Sequence, residues 1–281
     1  MIACETFRIR LSDQYECFAR LWCPQTPIGA VLYLHGIQSH GLWFESSAQH
    51  LADAGFAVLL PDRRGSGRNE VDRGHVPSVA RLLADSSEYL DELHVRTGLR
   101  TAHVLGVSWG AKTALCTQQF CPDRISSVTL VAPGLFPRVD IPLSQKVRVG
   151  LSVIATGKAL FDIPLGNPRL FTANPERQQF IADDALSLRQ VTASFLKVSR
   201  GLDQRCLSIG ADKPACPIRV FLAGRDQIIN NEKTRALVRT LPWPKRDIVE
   251  YPEAEHTIEF ETNPAPFFNE LSEWLIRQAE L

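Results

Sequence analysis

The stretch VLGVSWGAKTAL, residues 104–115, runs from an apolar segment through Gly-x-Ser-x-Gly into an alanine-containing helical pattern. Worked outward, TAHVLGVS (101–108) has the near-continuous apolar run of a strand buried on both faces, and WGAKTALCTQQFC (109–121) has helical composition. Ser108 therefore stands on a sharp turn between strand and helix. A β-carbon at either flanking glycine would collide with the neighbouring strand or helix, and such a turn projects the serine hydroxyl above the sheet edge. The following helix aims its positive end at the same point, where an oxyanion would form. A glycine-serine turn arises often by chance; its place between strand and helix makes this one a mount for a nucleophile.

The same alternation extends in both directions. TFRIRLS (6–12) and YECFARLWC (15–23), separated by Asp13 and Gln14, predict an antiparallel hairpin. GAVLYLHG (29–36), FAVLLPD (56–62) and ISSVTLVAPG (125–134) predict buried strands. SSAQHLADAG (46–55) and VARLLADSSEYLDELHVRTG (79–98) predict helices, each stopped by glycine. Apolar strands alternating with helices imply a parallel sheet covered on both faces. After Pro133-Gly134 the rhythm breaks. LSQKVRVGLSVIATGKALF (143–161) and NPERQQFIADDALSLRQVTASFLKV (174–198) are helical or irregular, with no clean strand. The pattern resumes with IRVFLAGRD (218–226), NNEKTRALVRTL (230–241) and RDIVEYPEAEH (246–256). A last amphipathic helix follows Pro266, with Phe267, Leu271, Trp274 and Leu275 on one side. The expectation is one α/β core formed by residues 1–135 and 216–281, with a mostly parallel, doubly wound sheet, an antiparallel N-terminal hairpin, and residues 136–215 inserted as a helical cap.

Charge and composition narrow the function classes. Lys plus Arg and Asp plus Glu both number 31, and no arginine-rich run occurs, so nucleic acid is not an expected partner. The N-terminus has no basic start followed by an apolar core, and the most membrane-like stretch, VRVGLSVIATGKALF (147–161), is short and broken by Arg148 and Lys158, so stable membrane insertion is not expected. The seven cysteines form no C-x-x-C pair, which favours reduced, mostly buried thiols in a cytoplasmic protein over a zinc or dithiol site.

A serine hydroxyl needs a base, and the base needs an orienting acid. In an elbow of this kind the chain order is serine, acid, histidine. Of the histidines at 35, 40, 50, 75, 94, 103 and 256, only His256 follows Ser108, in a loop after a late strand. Asp226 ends the strand before it and is the expected acid. Asp140, just after an earlier strand, is the rival; Asp203, Asp212 and Asp247 lie in the cap or at a strand start. YLHGIQSHG (33–41) ends a strand in a loop beside the elbow, so the backbone N–H groups of Ile37 and Trp109 are the expected oxyanion donors. His35 would brace that loop. His40 is the candidate substrate contact, with plain exposure its alternative. Phe171, Phe180 and Phe195 would either line an acyl pocket or hold the cap on the core. Glu176, Asp183 and Asp184 would either bind a substrate amine or face solvent.

Taken as a set, H-G-x-x-x-H at 35–40, PDRRGSGR at 61–68, G-x-S-x-G at 106–110, Asp226 and His256 resemble an α/β-hydrolase over essentially the whole chain. Within that superfamily the chain is similar to the monoacylglycerol lipase and lysophospholipase branch, which carries the HG-x-x-x-H loop and a D-x-x-G-x-G turn like Asp62 to Gly67. The resemblance implies that Ser108 is the nucleophile, that Asp226 and His256 complete the triad, and that Ile37 and Trp109 form the oxyanion hole. Members of that branch commonly show S-M-G-G where this chain has S-W-G-A. GVSWG is similar to proline iminopeptidases, whose HGGPG loop is absent here. Haloalkane dehalogenases and epoxide hydrolases place an aspartate where this chain has Ser108. The expected activity is hydrolysis of a small or lipid-like carboxylic ester through an acyl-enzyme, with no metal or organic cofactor. Aminopeptidase, thioesterase and acyltransferase are alternatives on the same machinery, and a catalytically silent binding protein is a further one.

Overall fold

Cys4–Arg10 (β1) and Glu16–Trp22 (β2) pair antiparallel as the expected hairpin, and Gln14 in its turn takes a positive φ of 67°. The computed structural model describes residues 1–139, 142–210 and 215–279. The chain continues through Gly29–Leu34 (β3), Glu45–Asp53 (α1), Phe56–Pro61 (β4), Val79–Thr97 (α2), Ala102–Val107 (β5), Trp109–Phe120 (α3) and Ile125–Val131 (β6). Helix α2 shows why its ends fall where they do. Ser78 Oγ accepts from Arg81 N at 3.0 Å at the start, and Gly98 takes a left-handed φ of 74° at the end.

Between β6 and the next sheet strand lie Leu143–Ala155 (α4), Leu160–Asp162 (β7), Pro175–Asp183 (α5), Gln190–Thr192 (β8) and Ala193–Leu207 (α6). Here the structure differs from the sequence expectation. The helical stretch 143–161 stops at Ala155, where Gly157 takes a φ of 68°, and Leu160–Asp162 instead pairs antiparallel with Gln190–Thr192. Strands of three residues are too short to show a period of two. The chain then returns with Ile218–Ala223 (β9), Asn231–Thr240 (α7), Arg246–Tyr251 (β10) and Ala265–Ala279 (α8).

The eight-stranded sheet has the order β1-β2-β4-β3-β5-β6-β9-β10. Strands β1, β2 and β4 pair antiparallel, and every contact from β4 onward is parallel. All residues of β3, β4, β5 and β9 are buried, as a sheet covered on both faces requires. Helices α1 and α8 pack together, as do α2 and α3, and these pairs supply the covering layers. The sequence order of the strands turns round at β3, which lies between β4 and β5. The loops leaving β3 and β5 therefore emerge side by side at the carboxyl edge, where open α/β sheets bind ligands.

Candidate active site

Ser108 follows β5 and caps α3 with φ 52° and ψ −118°, a conformation that L residues rarely adopt. Backbone bonds hold it there: Ser108 N donates to Val131 O at 2.9 Å, and Ser108 O accepts from Gly134 N at 2.8 Å and Ala111 N at 3.1 Å. The two motif glycines are required by close approach. A β-carbon on Gly106 would lie 2.6 Å from Gly110 O and 2.7 Å from Ala111 Cα, in helix α3. One on Gly110 would lie 2.2 Å from Leu34 O, at the end of β3. The helix and the strand exclude these β-carbons as the sequence reading expects.

The structure brings Ser108, His256 and Asp226 into one hydrogen-bonded line. His256 Nε2 lies 3.0 Å from Ser108 Oγ, and His256 Nδ1 lies 2.7 Å from Asp226 Oδ2. Asp226 Oδ1 is occupied separately, accepting from Ile228 N at 2.8 Å and Ile229 N at 2.9 Å. A carboxylate only accepts, so Nδ1 carries the imidazole proton and the Nε2 lone pair faces the serine hydroxyl. His256 and Asp226 are buried, and Ser108 is half-buried. The edge of Phe171 packs on the His256 ring, centroids 5.8 Å apart, and Thr257 N donates to Phe171 O at 2.8 Å. The rival acid Asp140 lies outside the described residues, as does Asp212. Asp203 is committed to an ion pair with Lys112, and Asp247 to one with Arg219.

The loop after β3 lies against the elbow: a β-carbon on Gly36 would sit 3.4 Å from Ser108 Cβ. Among the described residues neither Ile37 N nor Trp109 N donates to a protein acceptor. His35 braces this loop. Its Nε2 accepts from Arg63 N at 2.8 Å, so its Nδ1 carries the proton and donates to Gly36 O at 2.9 Å. Burial and the Arg63 charge hold His35 well below the usual histidine range, which keeps it neutral.

His40 is fully buried, and its Nε2 lies 2.9 Å from Asp184 Oδ2. Asp184 also accepts from Trp43 Nε1 at 2.7 Å, Ser187 Oγ at 2.7 Å and Leu186 N at 3.0 Å. Burial alone would raise this carboxyl, but the donors from His40, Trp43 and Ser187 outweigh it and hold the group well below the usual carboxylate range. His40 thus ties the 35–41 loop to the segment between β6 and β9. Asp184 is neither solvated nor free for an amine, while Glu176 and Asp183 are exposed.

The phenylalanines bind that segment to the core. Phe171 and Phe180 pack edge-on against Trp43, and Phe195 stacks on Trp109 at 4.9 Å. Trp109 Nε1 donates to Ser199 Oγ at 2.9 Å. Two more buried groups near the site escape sequence reading. Glu259, three residues after His256, accepts from Ser47 N at 2.9 Å and Ser47 Oγ at 2.6 Å, yet burial pushes its carboxyl up to about 7. Arg63, inside the PDRRGSGR motif, turns its guanidinium onto the loop before Ser39. The one sequence signal for it is its place directly after Asp62, the residue that follows β4.

The family model Hydrolase_4, described as "Serine aminopeptidase, S33", matches residues 25–263. The chain belongs to that family. Among relatives of this Hydrolase_4 chain, epoxide hydrolase A of Mycobacterium tuberculosis is 29% identical over 126 residues, 44% of this chain and 37% of that protein. The uncharacterized protein YnbC of Escherichia coli is 23% identical over 273 residues, 95% of this chain and 46% of that protein. The chain thus spans less than half the length of these two relatives. The crystal structure of the Paleococcus ferrophilus monoacylglycerol lipase superposes with a TM-score of 0.84 at 23% identity, covering 94% of this chain and 99% of that one. The fold of this family member is the α/β-hydrolase fold. No helix among its described residues is long and apolar enough to cross a membrane.

Proposed function

We propose that this hydrolase cleaves carboxylic esters by nucleophilic catalysis, with Ser108 as nucleophile, His256 as general base and Asp226 as its orienting acid. The observation that carries the reading is the unbroken line from Ser108 Oγ through His256, 3.0 Å and 2.7 Å, to Asp226. His256 Nε2 takes the serine proton as Oγ attacks the acyl carbonyl. Asp226 stabilises the imidazolium and fixes its tautomer. The oxyanion accepts from Ile37 N–H and Trp109 N–H, each worth about 3–4 kcal/mol of barrier lowering. His256 returns its proton to the leaving alkoxide. Water, activated by the same imidazole, then hydrolyses the acyl-enzyme. No step calls for a metal or organic cofactor.

We read residues 136–215 as a cap over this site, with the rest of the chain as core. Phe171 and Phe195 belong to that segment and pack on His256 and Trp109, so it contributes one wall of the acyl-binding space. His40 acts as the tie beneath that wall, through Asp184, rather than as a substrate contact. The same tie weighs against aminopeptidase chemistry, because the buried carboxylate of the cap, Asp184, is already taken by four donors. A serine at 108 sets the mechanism apart from the aspartate chemistry of epoxide hydrolases. Cysteine usage, free thiols that are mostly buried, favours a cytoplasmic setting.

A fluorophosphonate probe tests the nucleophile. It should label the wild type once and fail to label a folded Ser108→Ala variant, which should also lose turnover; labelling that persists in the variant refutes the assignment. A panel of p-nitrophenyl esters of graded length, set against aminoacyl anilides, tests the substrate class. Faster turnover of the anilides would replace esterase with aminopeptidase.

A further inference from the structure

Arg63 carries a charge that the described structure leaves without a counter-ion. The side chain is buried, and no carboxylate among the described residues forms an ion pair with it; Asp62, which attracts it without contact, is paired with Arg20. Its neighbours are backbone oxygens and rings. Nη1 donates to Gly36 O at 2.8 Å and Nη2 to Ile37 O at 2.9 Å. The guanidinium lies 4.7 Å from the Trp109 ring centroid and 5.1 Å from that of Phe195. Burial draws its pKa down to about 9, which leaves it charged at neutral pH. Burying an unpaired charge is costly. A neutral side chain of similar length would fill the same space without that cost.

What the charge touches gives it a use. Gly36 O and Ile37 N–H are opposite ends of one peptide group. No peptide bond among the described residues is cis, so the N–H points away from the carbonyl. Gly36 O takes two donors, Arg63 Nη1 and His35 Nδ1. Donors at the oxygen draw electron density through the amide and make its N–H a stronger donor. The second Arg63 nitrogen fixes the next peptide group at Ile37 O, so the loop is held on both sides of the Ile37 nitrogen. We infer that Arg63 is a positioning residue for ester cleavage, orienting and polarising the Ile37 amide so that its N–H meets the developing oxyanion. The inference rests on the reading of Ser108 as nucleophile. Lysine could keep the charge but not the two-pronged contact.

The test compares wild type, Arg63→Met and Arg63→Lys with a p-nitrophenyl ester and with an aryl trifluoromethyl ketone. The ketone carbon accepts Ser108 Oγ and its oxygen becomes the hemiketal oxyanion, with the serine proton passing to His256. In Arg63→Met, kcat should fall about 100-fold with KM nearly unchanged, and ketone affinity should weaken by a similar factor. Arg63→Lys should lose about 10-fold in both. Complete, if slower, fluorophosphonate labelling of Ser108 in the variants would show that fold and nucleophile survive. If Arg63→Met does not fold, Arg63→Lys decides alone. Wild-type kcat and ketone affinity in a labelled variant would overturn the inference, as would a loss confined to KM. A wild type that hydrolyses esters without labelling at Ser108 would instead overturn the nucleophile assignment on which the inference stands.

Discussion

Replacing Glu259 with glutamine should remove a pH dependence from the stability of the whole chain. The carboxyl is fully buried beneath the His256 loop, and burial outweighs the donors from Ser47 in setting its affinity for a proton, which rises from 4.5 to about 7. The folded state therefore holds this proton more tightly than the unfolded state. Stability from the group is greatest below about pH 4.5 and declines as pH rises to about 7, then levels off. The rise from 4.5 to about 7 corresponds to roughly 3 kcal/mol in total. Between pH 5 and pH 8 the change amounts to roughly 2–3 kcal/mol. Glutamine matches the protonated acid in shape: its oxygen can accept from Ser47 N, and its amide group can donate to the hydroxyls of Ser47 or Tyr33. Urea unfolding at half-unit steps across that range should give nearly equal stabilities at pH 5. By pH 8 the Glu259→Gln variant should be the more stable by that amount. Parallel curves for the two proteins would mean that the carboxyl is ionised in the fold across the whole range, and the burial argument would fail.

Other perturbations have equally definite outcomes. Asp226→Asn must keep its oxygen toward Ile228 N and Ile229 N, which turns its NH2 toward His256 and forces the wrong tautomer; kcat should drop about 10⁴-fold with an unchanged melting temperature. Asp184→Asn leaves either Trp43 Nε1 or Leu186 N facing an NH2 group, so the chain should lose about 2–3 kcal/mol in urea at pH 7. That loss should shrink below about pH 4, because the wild-type carboxylate, depressed in the fold, contributes only above the unfolded-state pKa. Gly110→Ala drives a methyl into Leu34 O and should cost about 1–3 kcal/mol or more while slowing fluorophosphonate labelling. The control Gly150→Ala, in α4 with nothing within 4 Å of the added carbon, should be neutral or stabilising by up to about 1 kcal/mol.

The sheet and the hydrogen-bonded line Ser108–His256–Asp226 were legible because each depends on local punctuation or chain order. Buried parallel strands announce themselves as apolar runs, and Gly106 and Gly110 mark a turn whose neighbours tolerate no β-carbon. His256 stands out because no other histidine follows Ser108. What stayed hidden depends on partners distant in sequence. Asp184 looked like a solvated helix-end carboxylate, since nothing local shows that it lands on His40 and Trp43, 144 and 141 residues away. Arg63 is legible only as part of PDRRGSGR, since a sequence does not say which arginine lacks a carboxylate. Glu259 reads as a polar residue in an acidic loop until Tyr33 and Ser47 enclose it. The β7–β8 ribbon is too brief to impose a pattern.

The backbone at Ser108 has a consequence for how this chain would drift. With φ at 52° and ψ at −118°, every side-chain-bearing residue there costs about 1–3 kcal/mol that glycine does not. A library screened for solubility alone, blind to turnover, should therefore fix glycine at this position early and gain thermal tolerance by doing so. Only a screen that rewards the hydroxyl would keep serine on a perch that the polymer, left to itself, would give away.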